Sequence, residues 1–412
     1  MRSQRGESSN RRGGQGASGK VLITTPPVVN DTAATHRGRV DFRALLPAPL
    51  RPQLRWRFDP ERCSFMESLQ GKNILVTGCC GSVGSELTRQ LLSDQRFEPA
   101  GLVGLDNDES ALFFQEQRHL DDSRARFFFA DVRSRDAISR HMRDIDVVFH
   151  AAALKHVILC ERAPVEALYT NIHGVQNVIH SAEDCHVERV IFTSSDKAVN
   201  STNVMGTTKL MGERLITAAN SAKRGQGPIF ASTRFGNVLG SRGSVLPIFH
   251  GQIARGEPVT LTDPEMTRFI MTVEEAVRLV IESSALACGG EVFITKMPVA
   301  RIADLAEVMI RALAPRYGRR PEDVEIKVIG AKPGEKLYEG LMSDEETRRA
   351  IELERYFAIT PAFRGLYQDI AYDYPEVLAE EVEEAYNSAQ QSPLSQQALH
   401  DFLTENGLLD NP

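Results

Sequence analysis

Tryptophan occurs once in 412 residues and cysteine six times, at Cys63, Cys79, Cys80, Cys160, Cys185 and Cys288. None has a C-x-x-C partner, and the density is far below that of a secreted disulfide scaffold, so a reducing, cytoplasmic setting is expected. No apolar run approaches the roughly 18 residues needed to span a bilayer, and the first residues lack the apolar centre of a signal peptide. No membrane span is therefore expected. There is no H-E-x-x-H, no carboxylate cluster and no Cys/His set at ligand spacing, which predicts no metal site. Positive charge is also in deficit, with 48 Lys and Arg against 55 Asp and Glu and a net charge of -7, which argues against a nucleic-acid partner. No internal repeat is visible. What remains is 42% hydrophobic and 25% charged residues, ordinary for a globular enzyme, in a chain long enough for one large α/β unit or two domains.

Residues 1–65 stand apart. Ser, Gly, Gln and Arg dominate to Lys20, and prolines and arginines follow to Phe65, so a disordered or surface-lying arm is expected. From Asn73 the texture becomes alternating strands and helices. Strands are predicted at Asn73–Gly78, Gly101–Asp106, Arg126–Asp131, Asp146–His150 and Arg189–Ser194. Helices are predicted at Ser82–Leu92, Ser110–His119, Pro164–Asp184 and Val204–Lys223. This rhythm means a doubly wound, mainly parallel sheet with helices on both faces, an α/β class. It places a Rossmann-like domain at 66–235 and a smaller substrate-binding portion at 236–362, which contributes elements back to the first. Helices near Thr272–Ala287 and Ile302–Leu313 and a strand near Val324–Ile329 belong to that portion. Residues 363–412 read as an acidic tail, helical around Pro375–Ala389.

Gly78-Cys-Cys-Gly81-Ser82-Val83-Gly84 sits where the first strand turns into the first helix. Glycines there let the backbone turn tightly and approach a pyrophosphate resting on the helix N-terminus. Asp106, at the end of the second strand, is placed to accept hydrogen bonds from an adenosine ribose and to repel a 2′-phosphate, which favours NAD over NADP. The GxxGxxG spacing resembles the short-chain dehydrogenase/reductase superfamily. By that resemblance Asp131-Val132 is the adenine contact and Ala151-Ala152-Ala153 the turn flanking the cofactor. The adjacent thiols of Cys79 and Cys80 are read as small loop fillers.

Strand five runs into Ser194-Ser195-Asp196-Lys197, and the next helix holds Met205-Gly-Thr-Thr-Lys209. In the superfamily this helix offers Tyr-x-x-x-Lys, whose i, i+4 spacing puts both side chains on one face. Methionine cannot carry a proton, so Met205 alone would predict a dead enzyme. The segments around it point the other way. His150-Ala-Ala-Ala-Leu-Lys-His156, Ser195-Asp-Lys-Ala-Val-Asn200, Asn203–Lys209, Arg234-Phe-Gly-Asn-Val-Leu-Gly240 and Lys332-Pro-Gly-Glu-Lys-Leu-Tyr338 occur in this order. Together they resemble the polysaccharide-biosynthesis branch of the UDP-N-acetylglucosamine 4,6-dehydratases, over about Gln70 to Phe357. Many members of that branch carry Met at this position. Ser201, where proline is common, and Lys332, where arginine is usual, depart from its pattern.

The resemblance implies hydride removal from C4 of the sugar by NAD⁺, loss of water across C5–C6, and hydride return to C6. It also implies a homo-oligomer. Lys197 is the candidate base at C5 and Asp196 the candidate acid at the 6-hydroxyl; burial is expected to lower the first pKa and raise the second. The base for the 4-hydroxyl stays open between Ser195 and a relay through water, Lys209 or Asp196. Lys209 is expected to hold the nicotinamide ribose. On the substrate side the resemblance implies contacts from Asn237, from Lys155 and Arg268 to a pyrophosphate, and from Glu335 and Lys336 to the uridine or ribose. Two rivals are a UDP-sugar 4-epimerase, which would keep the tyrosine, and a catalytically silent NAD-binding sensor.

Overall fold

The computed structural model describes residues 69–222, 227–331, 334–363 and 370–410. The expectations for residues 1–65 and Lys332, and the end of the helix predicted to reach Lys223, lie outside these.

The first half contains β1 (Asn73–Thr77), β2 (Gly101–Asp106), β3 (Ala125–Phe129), β4 (Val147–His150), β5 (Arg189–Ser195) and β6 (Ile229–Phe235). The second half adds β7 (Asn237–Val238), β8 (Val259–Leu261), β9 (Thr267–Met271), β10 (Val292–Thr295) and β11 (Val299–Arg301). After these come β12 (Ile326–Val328), β13 (Ala350–Leu353), β14 (Tyr356–Ile359) and β15 (Val377–Ala379). Ten of them form one sheet in the order β15-β13-β14-β10-β6-β5-β4-β1-β2-β3. From β3 to β10 neighbouring strands run parallel, and the last three join antiparallel. Val147-Val-Phe-His150 is buried at every position, as a parallel strand covered on both faces must be. The strand order reverses between β1 and β4, so a crevice opens at the carboxyl ends of these strands.

The Pro164–Asp184 helix is interrupted. Pro164–Leu168 and Gly174–Asp184 are α-helical, and Tyr169–His173 between them is a π-turn. The wider turn brings Asn171 inward, where it bonds Leu154 N–H (2.8 Å), Leu154 C=O (3.0 Å) and Thr208 Oγ1 (2.9 Å). It thereby ties the loop after β4 to the helix Val204–Ala222, a local cause for the wider turn.

Beyond β6, a second core gathers Leu246 and Phe249, Leu305 and Met309, and Leu399 and Leu403 from three helices. β10, β13 and β14 return to the main sheet, so residues 236–362 do not form a separate block. The tail departs from the sequence expectation. The stretch predicted as a helix at 375–389 instead holds β15, which pairs with β13, and the tail's α-helix is Gln396–Glu405. Glu376, Glu380 and Glu384 would stack like charges at i, i+4 on a helix, which disfavours it, and Tyr374 and Tyr386 are drawn into the core instead.

Candidate active site

The glycine loop follows β1 directly. Gly78 has φ +70, and a Cβ on it would lie 2.7 Å from the backbone of Ala152; at Gly84 a Cβ would lie 2.0 Å from the Gly78 carbonyl oxygen. Only glycine lets the loop, the 151–153 turn and the helix Ser82–Ser93 close together. That helix has no side-chain cap at its N-terminus, which leaves its first amides free for an anion. Asp106 Oδ2 accepts from Cys80 N–H (2.9 Å) and Oδ1 from Asp108 N–H (3.1 Å), which orients the carboxylate at the mouth of the loop with lone pairs to spare. Ala151 N–H and Ala152 N–H are held by Thr77 C=O (3.1 Å) and Thr77 Oγ1 (3.4 Å). These residues fit a dinucleotide. Val132 is buried, and its carbonyl accepts from Asn177 (2.9 Å). Asp131 carries a bond from Arg133 that holds its carboxyl below the ordinary range.

Three features of this half are not foreseen by the sequence. Arg242 reaches across the loop: its guanidinium donates to Cys80 C=O, its N–H to Ser82 Oγ (3.2 Å), and its carbonyl accepts from Lys155 Nζ (2.8 Å). Gly240 and Gly243, both at φ +72, flank it. His150 donates to or accepts from Thr77 Oγ1 at 2.6 Å, and burial, helped by the Lys209 charge, pushes it down to about 3, so the ring is neutral. Cys79, Cys80 and Asp106 place three ligand-type atoms within 4.8 Å of one another, the one such grouping among the described residues.

The chemistry-bearing residues meet at the carboxyl end of β5. Asp196 is fully buried; its Oδ1 accepts from Ser195 Oγ (2.6 Å) and from Lys197 Nζ (3.0 Å). Met205 is buried against Cys160 and Ala167, and Lys209 donates to Thr193 C=O (2.9 Å) with its Nζ 4.5 Å above the Phe192 ring. Burial pushes Lys209 down to about 8. Among the described residues, the buried side-chain oxygens without a hydrogen-bond partner include Ser194 Oγ, Asp196 Oδ2, Asn237 Oδ1 and Glu339 Oε2. Such atoms cost about 1–3 kcal/mol each unless something bonds them, and a polyhydroxylated ligand is what this set of acceptors would bond.

The protonation expected at Lys197 is corrected. Burial pulls its ammonium down, but the carboxylates of Asp196 and Glu339 outweigh burial and hold it above the ordinary lysine range. Burial, and then the Asp196 charge, raises the carboxyl of Glu339, a residue that sequence reasoning does not select. Its only signal in the sequence is its place directly after Lys332–Tyr338.

On the substrate side, Arg268 is buried and spends its donors on the carbonyls of Thr267, Lys336 and Leu337 (2.7 to 3.1 Å). It builds the 336–337 turn rather than presenting a free fork to a pyrophosphate. Lys336 Nζ bonds Val199 C=O at 2.7 Å, with burial lowering its pKa. Lys155 is lowered by burial and by Arg242, and it lies beside the glycine loop. Glu335 is exposed.

The strand order, the glycine loop with Asp106, and the helix that sets Met205 and Lys209 on one face define an extended short-chain dehydrogenase/reductase. Within that class the chain belongs to the polysaccharide biosynthesis protein family, whose sequence profile matches residues 74–361. It is 40% identical over 301 residues to a UDP-N-acetylglucosamine 4,6-dehydratase (inverting) of Campylobacter jejuni, covering 73% of this chain and 86% of that one. It is 37% identical over 302 residues to a UDP-glucose 4-epimerase of Rickettsia bellii, covering 72% and 84%. Among solved structures, Pen from Bacillus thuringiensis superposes with a TM-score of 0.76 at 39% identity, covering 82% of this chain and 99% of that one. No helix among the described residues is long and apolar enough to cross a membrane.

Proposed function

We propose that the chain binds NAD and dehydrates UDP-N-acetylglucosamine to a UDP-4-keto-6-deoxy-N-acetylhexosamine. The observation that carries this reading is the 3.0 Å contact of the half-buried Lys197 with the buried Asp196 at the end of β5, next to a helix whose tyrosine position is methionine. An elimination needs a base and an acid side by side, and this pair offers both where a tyrosine-dependent epimerase has no need of them. The relative named as a dehydratase at 40% identity supports the same reading.

The cofactor's part, once bound, is hydride exchange at C4 and C6 with no net redox change. Gly78, Gly81, Ser82, Val83 and Gly84 would hold its pyrophosphate, Asp106 its adenosine ribose, Asp131, Val132 and Ala151–Ala153 its flanks, and Lys209 its nicotinamide ribose. Lys197 takes the C5 proton, Asp196 protonates the departing 6-hydroxyl, and Ser195 bonds the 4-hydroxyl. Met205 supplies an apolar wall. Asn237, Lys155 and Lys336 face the sugar nucleotide, with Glu335 at the rim and Arg268 shaping the turn. The reading extends to a homo-oligomer at work in the cytoplasm.

A second reading, a 4-epimerase, is favoured by the relative named so at 37% identity. Incubation with UDP-N-acetylglucosamine and NAD in deuterated water, followed by mass spectrometry and proton NMR, separates the two. Loss of one water, a new methyl signal and deuterium at C5 are expected; an intact mass with C4 inverted would establish the epimerase. An unchanged substrate with NAD bound would sink both.

A further inference from the structure

Glu339 reaches the catalytic loop from far along the chain. Its main chain is clamped by Ser388, whose Oγ accepts from Glu339 N–H at 3.0 Å and whose N–H donates to Glu339 C=O at 2.8 Å. The residue is 3% exposed. Glu339 Oε1 lies 3.9 Å from Lys197 Nζ and 3.9 Å from Arg268 Nε, and Oε2 lies 3.9 Å from Lys336 Nζ. Lys197 Nζ thus has a carboxylate on two sides, Asp196 at 3.0 Å and Glu339 at 3.9 Å. The charged groups facing Glu339 are Asp196, Lys197, Arg268 and Lys336, one carboxylate and three cations.

The proton balance makes a second carboxylate matter if the dehydration reading above holds. Lys197 rests as an ammonium, held there by its neighbours. To take the C5 proton it must first lose one of its own. Asp196 has a different duty, because Ser195 Oγ already donates to it at 2.6 Å. The 4-hydroxyl proton released on oxidation can pass through Ser195 to Asp196 and leave with the 6-hydroxyl as water. Asp196 then has no room for the resting proton of Lys197.

We propose that Glu339 is the acceptor for that proton, and so acts through Lys197 rather than on the sugar. Once a side-chain shift or one water spans the 3.9 Å between them, an N–H bond of Lys197 breaks as an O–H bond forms on Glu339, which leaves a neutral amine and a neutral carboxyl. The amine lone pair takes the C5 proton, the C5–H electrons form the C5=C6 bond, and the C6–O bond breaks with the Asp196 proton leaving as water. Lys197 returns a proton to C5 when hydride has reached C6, and Glu339 then gives its proton back. Every proton released is used, and no outside oxidant or reductant enters. A carboxyl raised above its ordinary range by burial and by Asp196 suits a group that must hold a proton near neutrality.

The test compares wild type with Glu339→Gln and Glu339→Asp across pH, with folding checked by melting and NAD binding. Wild type is expected to show a bell, because its active form carries one proton shared between Lys197 and Glu339. In E339Q the ammonium must discharge to solvent, so kcat at neutral pH is expected to fall about a hundredfold to a thousandfold. It should then climb about tenfold per pH unit over the neutral and alkaline range. E339D should restore the bell. An E339Q profile that parallels wild type at every pH would overturn the proposal, since a purely structural defect lowers the whole curve without reshaping it.

A second measurement does not depend on the substrate. NMR titration of Lys197 with carbon-13 at Cε should be biphasic in wild type and single-step in E339Q. Identical titrations in the two proteins would overturn the coupling even if the sugar proved to be a different one. Failure of the functional reading would appear separately, as wild-type protein that leaves UDP-N-acetylglucosamine unchanged.

Discussion

Arg234 and Glu346 stand 112 residues apart in the chain and meet side by side in the core, with two guanidinium nitrogens bonding the two carboxylate oxygens at 3.1 and 3.0 Å. The same guanidinium takes Glu213 of the helix Val204–Ala222 at 3.0 and 2.6 Å. One side chain on β6 thus joins the helix that carries Lys209 to the segment that follows Glu339. Burial opposes ionisation of Glu346, yet Arg234 pulls it down to about 2. Replacing Arg234 by Met should strand two buried carboxylates and cost on the order of 3–5 kcal/mol. Urea unfolding followed by circular dichroism measures this, and a loss under about 1 kcal/mol would show that the network contributes no net stability.

Lys197→Met should stop water loss while leaving NAD in place. The expected fall in turnover is roughly 10² to 10⁴, the range for removing a positioned base. Product NMR and NAD binding measured on the same sample check it. Turnover equal to wild type would take Lys197 out of the mechanism.

Arg242→Ala removes the guanidinium that spans to the Cys80 carbonyl across the glycine loop. A charge-assisted hydrogen bond contributes about 1.5–3 kcal/mol, so NAD should leave the variant about tenfold to a hundredfold faster. Stopped-flow nucleotide fluorescence reads the rate directly. Identical dissociation rates would make Arg242 a surface contact without a role in retention.

Stability should also depend on one group far from the sugar. Burial raises Glu291 to about 7 although the N–H groups of Cys288 and Gly289 bond it. Its folded pKa lies above the unfolded value of 4.5, so the folded state binds the proton more tightly. The contribution is intact below about pH 4.5 and is lost as pH rises to about 7. Glu291→Gln cannot ionise, so its stability relative to wild type should improve from about pH 5 to about pH 8. Denaturation at both values tests this, and a constant difference would mean that Glu291 does not titrate in that window.

What is legible in the sequence is whatever local spacing decides. The turn from β1 into Ser82–Ser93 demands glycines at fixed steps, and Asp106 falls at the end of the next strand, so the dinucleotide half can be read directly. Asp196 and Lys197 are adjacent in the chain and have to share a loop. The charge state of Lys197 is not legible, because its sign depends on whether a second carboxylate arrives, and Glu339 is brought there only by the tertiary fold. Arg268 misleads for the same reason: a basic residue in a pattern says nothing of the carbonyls that will surround it. The tail helix fails because an acidic composition suggests a helix although its spacing stacks like charges, and the π-turn at Tyr169–His173 is hidden inside a strong helical period.

The return of β13, β14 and β15 to the main sheet has a consequence for how the protein is made. During synthesis the glycine loop, Asp106, Lys197 and Lys209 all emerge long before Glu339 and the strands that follow it. A nascent chain therefore assembles its dinucleotide half first, while β10 still waits for the antiparallel neighbour β14. A chain stopped before Ala350 would leave that edge of β10 without its antiparallel partner.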